Sequence, residues 1–115
     1  MATDKSRFAS QKLIDVVDIS SSITDKATGA TITGKQLGNI VQITVGNALT
    51  NGLATYGVIF KTSKKPIVAS LTVGRVNNGT LGSVNIDENG NATWIGTAIP
   101  AGSALGVTLM YLTAN

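Results

Sequence analysis

From Ile40 onward, short apolar runs alternate with Gly- and Asn-rich breaks at regular intervals. The runs are Ile40–Val45, Ala54–Lys61, Ile67–Val76, Leu81–Asp87, Ala92–Ile95 and Leu105–Leu112, and they are rich in Val, Ile, Thr and Leu. That composition and spacing predict strands joined by tight turns, so an all-β fold, an antiparallel sandwich or barrel of about six to eight strands. No window sustains an apolar stripe of helical period. Before Ile40 the pattern is less regular. Phe8 to Val17 suits a short helix or an extended lead-in, and the β-branched residues within Leu13–Ile19 favour extended backbone. The division predicted is an N-terminal arm over 1–36 and an antiparallel β-domain over 37–115.

Two dipeptides predict a register. Asn78-Gly79 and Asn89-Gly90 are the pair preferred by two-residue type I′ hairpin turns. With each at a turn centre, Val73 faces Val84, Leu71 faces Ile86, and Ile86 in turn faces Thr93. One face then carries Leu71, Val73, Val84, Ile86 and Ile95, a predicted core; the other carries Ser70, Thr72, Ser83, Asn85, Asp87, Ala92 and Trp94. On that reading Trp94 stands on a polar face with Asn85 and Asp87, a grouping suited to stacking on a sugar ring while amide and carboxylate bond its hydroxyls. The alternatives for Trp94 are packing beneath a loop or burial in a subunit interface. The last run places Leu105, Val107, Leu109 and Tyr111 on one face and Thr108, Met110 and Leu112 on the other. Both are largely apolar, which predicts cover on both sides. A second copy of the chain is the simplest supplier, so Thr108, Met110 and Leu112 are the expected oligomer contact.

Composition sharpens this picture. Only 13% of the 115 residues are charged, half the usual share of about 25%. Thr, Ser, Asn and Gly make up 46 residues, giving a neutral, hydrogen-bonding surface. The absence of His and Cys removes the commonest general base, the commonest metal ligand, thiolate zinc sites and disulfides. A net charge of +3 is too dilute for a nucleic-acid groove, and Lys61, Lys64 and Lys65 beside Pro66 read as a solvated turn. No run approaches the length of a membrane helix, and the first residues lack the apolar core of a secretory signal. The expectation is a protein made in the cytoplasm, with neither nucleic-acid binding nor membrane insertion.

The tempting motifs fall short. Gly29 to Lys35 matches a phosphate-binding loop until Gln36 stands where Ser or Thr must hold magnesium; a hairpin turn is the expectation there. Asp87, Asn89 and Asn91 have calcium-loop spacing, but Ala92 and Ala98 occupy the positions of the required Gly and Glu. Asp15 and Asp18, three apart on a strand, face opposite sides and cannot act as a catalytic pair. No catalytic residue, metal or cofactor is expected.

Several segments in order carry a resemblance. They are Leu37-Gly38-Asn39-Ile40-Val41-Gln42-Ile43, Lys65-Pro66-Ile67-Val68-Ala69, the stretch from Gly82 through Asp87 and Asn89 to Trp94, Ile99-Pro100-Ala101-Gly102-Ser103-Ala104-Leu105, and the closing Tyr111-Leu112-Thr113. Over about residues 37–115 this resembles the C-terminal β-domains of tailed-phage tail-fibre and baseplate receptor-binding proteins. The resemblance implies a homotrimeric virion protein that binds host cell-surface saccharide without cleaving it, attached to other virion proteins through its N-terminal arm. A capsid decoration protein or head fibre is one alternative, and a free-standing carbohydrate-binding module another.

Overall fold

A computed structural model describes residues 15–114, which form one antiparallel, all-β sheet of nine strands. In chain order these are β1 (Val16–Asp18), β2 (Ile23–Thr24), β3 (Thr31–Leu37), β4 (Ile40–Gly46), β5 (Val58–Thr62), β6 (Ser70–Val76), β7 (Leu81–Ile86), β8 (Asn91–Ile95) and β9 (Leu105–Leu112). Their spatial order is β1-β3-β4-β9-β6-β7-β8-β5-β2. β9 is the hinge of the arrangement. It pairs with β4 from Val45↔Val107 to Ile40↔Leu112, and with β6 at Arg75↔Gly106 and Val76↔Leu105.

The sheet curls because its two ends are tied together. β1 and β2 are separated only by Ile19 and the 3-10 turn Ser20–Ser22. On one side of this strap the Ile19 N–H donates to Gly34 O at 2.9 Å and the Gly34 N–H donates to Ser20 Oγ at 3.1 Å. On the other, the Ser63 N–H donates to Ser22 O at 3.1 Å, and Ser22 Oγ lies 3.2 Å from Thr62 Oγ1. The result is a half-barrel, its concave face lined by the core.

β3, β4 and β9 alternate buried and exposed positions without a break, the period-2 pattern of a sheet with one covered face. Ile32, Val41, Ile43, Val45, Leu105 and Leu109 point inward from these strands to meet Val76, Val84, Ile86, Phe60 and Trp94 from the other limb. Each such side chain contributes roughly 1.5–3 kcal/mol by leaving water.

The meander β6-β7-β8 is shifted by one residue from the predicted register. Thr72 faces Val84, Leu71 faces Asn85, Val84 faces Trp94 and Asn85 faces Thr93. The cause lies in the turns. Asn78 and Asn89 have no positive φ, whereas Gly79 and Gly90 do, at 93° and 84°. Each loop therefore holds three residues, Asn77 to Gly79 and Glu88 to Gly90, a type I turn followed by a left-handed glycine. Asn78 Oδ1 accepts the Thr80 N–H and Asp87 Oδ1 accepts those of Asn89 and Asn91, fixing both loops. An extra loop residue flips β6 and β8 relative to β7. Thr72, Gly74, Val76, Ala92 and Trp94 turn toward the core with Val84 and Ile86, while Leu71 and Val73 face outward, 60% and 68% exposed.

Nine strands exceed the expected number because of the short β1 and β2 and of β3, which the phosphate-loop likeness concealed. No paired hairpin forms over 29–35: a tight turn at Thr28-Gly29 leads into β3. The 36/37 boundary falls inside β3, all seven residues of which pair with β4. Residues 1–14 of the expected arm lie outside the described residues.

Candidate binding surface

Trp94 is fully buried, which overturns its place on an exposed sugar-binding face. Its indole sits against three positions that carry no side chain. A Cβ at Gly74 or Gly96 would lie 3.0 Å from a ring atom, and one at Gly82 would lie closer still. The indole N–H donates to Thr97 O at 2.9 Å, satisfying the ring's polar edge. Neither of the other two residues grouped with Trp94 shares its surface. Asn85 is half-buried on the outer face between Leu71 and Thr93. Asp87 is occupied by its own loop, accepting two backbone N–H groups at 2.9 Å and lying 3.4 Å from Asn91 Nδ2. The trio does not form a site. Among the described residues, the aromatic ring that the surface presents is Tyr56, 73% exposed and held at φ 64°.

The outer face of the β1-β3-β4-β9 limb is ordered into rows, because residues opposite one another share a face. One row is apolar: Val16, Leu37, Ile40 and Leu112 run side by side across four strands, all at least 41% exposed. The next holds Asp18, Lys35, Gln42 and Met110. Backbone and side-chain hydrogen bonds from Ser20, with help from Lys35, hold the Asp18 carboxyl below the usual carboxylate range. Then comes a hydroxyl row, Thr33, Thr44 and Thr108. At the far end lie Thr31, Gly46, Gly106 and Arg75.

Thr108, Met110 and Leu112 thus stand outward on β9, in three different rows. Met110 and Leu112 adjoin Ile67 and Val68, because the Ile67 N–H donates to Leu112 O at 2.9 Å and lays that segment beside the strand. The cross-strand rows depend on β3, which the phosphate-loop likeness conceals; the alternation of Thr31, Thr33, Lys35 and Leu37 with inward residues is the signal that carries it.

Among the described residues no group of three or more His, Cys, Asp or Glu side chains is placed to hold a metal ion. Asp15 immediately precedes the short edge strand β1 and Asp18 ends it, and both are exposed. A scan against protein-family models and a search of curated proteins each found no match to this chain.

Proposed function

We propose that this chain is a non-catalytic assembly module of a phage particle, working as a homotrimer of the tail-fibre or baseplate receptor-binding kind. The observation that carries the reading is the exposed apolar row Val16, Leu37, Ile40 and Leu112, extended by Met110, Ile67 and Val68. Monomers rarely leave contiguous apolar patches of this kind in water. A second copy is the partner that suits it best. The row itself carries no charge, and Asp18 and Lys35 in the next row are cross-strand neighbours of opposite sign, so copies approaching through this face meet no unbalanced field. Low overall charge, a Thr/Ser/Asn surface and the absence of His and Cys support assembly over catalysis. With Trp94 in the core, receptor contact has to come from elsewhere on the surface.

Light scattering on the full chain is expected to give three times the 11.8 kDa chain mass, and Leu112→Lys or Ile40→Lys is expected to shift it to monomer. A wild-type monomer at micromolar concentration would remove the trimer. Immunogold electron microscopy tests the particle: antibody to the chain should decorate virions, and undecorated virions would overturn the assignment.

A further inference from the structure

Two glycines inside strands have no internal reason to be glycine. Gly34 and Gly74 are needed for packing, since a Cβ there would lie 3.1 Å from Ile19 Cγ1 and 3.0 Å from Trp94 Cζ3. At Gly46 a Cβ would meet nothing within 4 Å, and at Gly106 nothing nearer than Arg75 O at 3.8 Å. Neither residue has a positive φ. A glycine gives up strand stability, and one that neither turns nor packs marks a place where a ligand or another backbone comes close.

These two glycines lie side by side. The β4–β9 register of Val45↔Val107 continues to Ala48↔Ala104, which sets Gly46 opposite Gly106. Arg75 flanks Gly106 on β6 and Thr31 flanks Gly46 on β3. The outcome is a trough across the sheet, floored by backbone, about 14 Å from the Arg75 strand to the Thr31 strand at ~4.8 Å per strand spacing. Asn47 and Asn77 stand at its end, and both are already oriented. Asn47, at φ 72°, donates its amide to Thr31 Oγ1; Asn77 accepts the Ala104 N–H at 3.2 Å and donates its own to Ala104 O at 3.0 Å. That leaves Asn47 Oδ1 as an acceptor and Asn77 Nδ2 as a donor without a partner among the described residues, on side chains of residues that line the trough. Arg75 is exposed and has no carboxylate within ion-pair distance among the described residues.

We propose that the trough binds an acidic sugar. The Arg75 guanidinium takes its carboxylate, in the paired geometry that arginine alone offers. The ring lies on the Gly46 and Gly106 backbone, and its hydroxyls meet Asn47, Asn77 and the hydroxyls of Thr44 and Thr108 in the adjoining row. An acidic peptide would satisfy Arg75 as well, but it lacks the several hydroxyls that these mixed donors and acceptors match. The trough belongs to one copy of the chain and lies six residues of β9 from Leu112, ~20 Å along the strand. It is therefore independent of the apolar row.

Titration calorimetry with trigalacturonate and with sialyllactose, each against its own methyl ester, tests this. At least one acid is expected to bind at least tenfold more tightly than its ester. Arg75→Gln should erase that difference, and Gly106→Val, whose Cβ meets nothing nearer than Arg75 O at 3.8 Å, should abolish binding with the melting temperature held or raised. Equal binding of acid and ester, no binding of either acid at millimolar concentration, or binding unmoved by both variants overturns the proposal. So does equal binding of a polyglutamate peptide, or loss of self-association on Gly106→Val, which would make the trough a contact between copies. The mass of each protein, measured alongside, separates failure here from failure of the trimer.

Discussion

Trp94 and the glycines around it form a single residue-scale device, with the large ring made possible by the absence of side chains at Gly74, Gly82 and Gly96. Trp94→Ala is expected to cost about 3–5 kcal/mol in urea unfolding. Gly82→Ala, a far smaller change, should also destabilise, because its methyl group would enter the indole. Native tryptophan fluorescence should be blue-shifted and move red only with unfolding. The device left a trace in the sequence, since Gly74 and Gly82 interrupt runs that otherwise read as strands; a strand glycine often signals a large neighbour. Tyr111 supplies a second residue-scale expectation. Its hydroxyl donates to Lys64 O, and burial pushes its pKa from 10.0 up to about 12. A raised folded pKa contributes stability that is whole below pH 10.0 and is lost as pH rises through about 12. Unfolding titrations between these limits should show a decline that Tyr111→Phe flattens.

At the scale of elements, the strands were legible and their faces only partly so. Leu105–Leu112 was read with its observed ends and with both of its faces, because eight alternating residues leave no ambiguity. In both hairpins flanking β7 the expected register is one residue from the observed one, since Asn-Gly marks a turn without fixing its length. A type I turn closed by a left-handed glycine uses the same dipeptide as the two-residue turn. Both errors ran in the same direction and yielded a coherent but inverted apolar face, because β6 carries apolar residues on each side. The candidate site inherits that inversion, which sets Trp94 on the outer face in place of the core. Loop length is testable. Deleting Asn78 should force the two-residue turn, set Leu71 and Val73 inward against Val84, and drive Gly74 and Val76 out. The expected result is loss of the cooperative thermal transition, whereas Gly79→Ala should cost only about 1–2 kcal/mol for its left-handed backbone. Gly106→Val should raise stability by up to ~1 kcal/mol, replacing a strand glycine by a strong β-former at an open position.

For the whole molecule, curvature depends on the strap from Ile19 to Ile23, which bonds to β3 on one side and to the end of β5 on the other. Ile19 and Ile23 are 5% and 4% exposed and pack against the position of Gly34. Truncating Ile19 to Ala is expected to cost about 2–5 kcal/mol. Hydrogen exchange should quicken in β3 and β5 together, although those strands lie far apart in the spatial order; faster exchange in β3 alone would refute closure by the strap. The other tie between the limbs is β9, which joins β4 on one edge and β6 on the other. Of the nine strands it is the last to leave the ribosome, yet it sits in the interior of the sheet. Its partner at Ile40 lies 72 residues upstream of Leu112, so the central pairing closes one of the longest loops in the chain, and folding is expected to be slow for a domain this size. Until β9 is made, the β4 and β6 edges stand open beside uncovered core. A chain stopped before Leu105 therefore has no smaller version of this fold to adopt; it is left with two sticky half-sheets that pair with other chains instead of with each other.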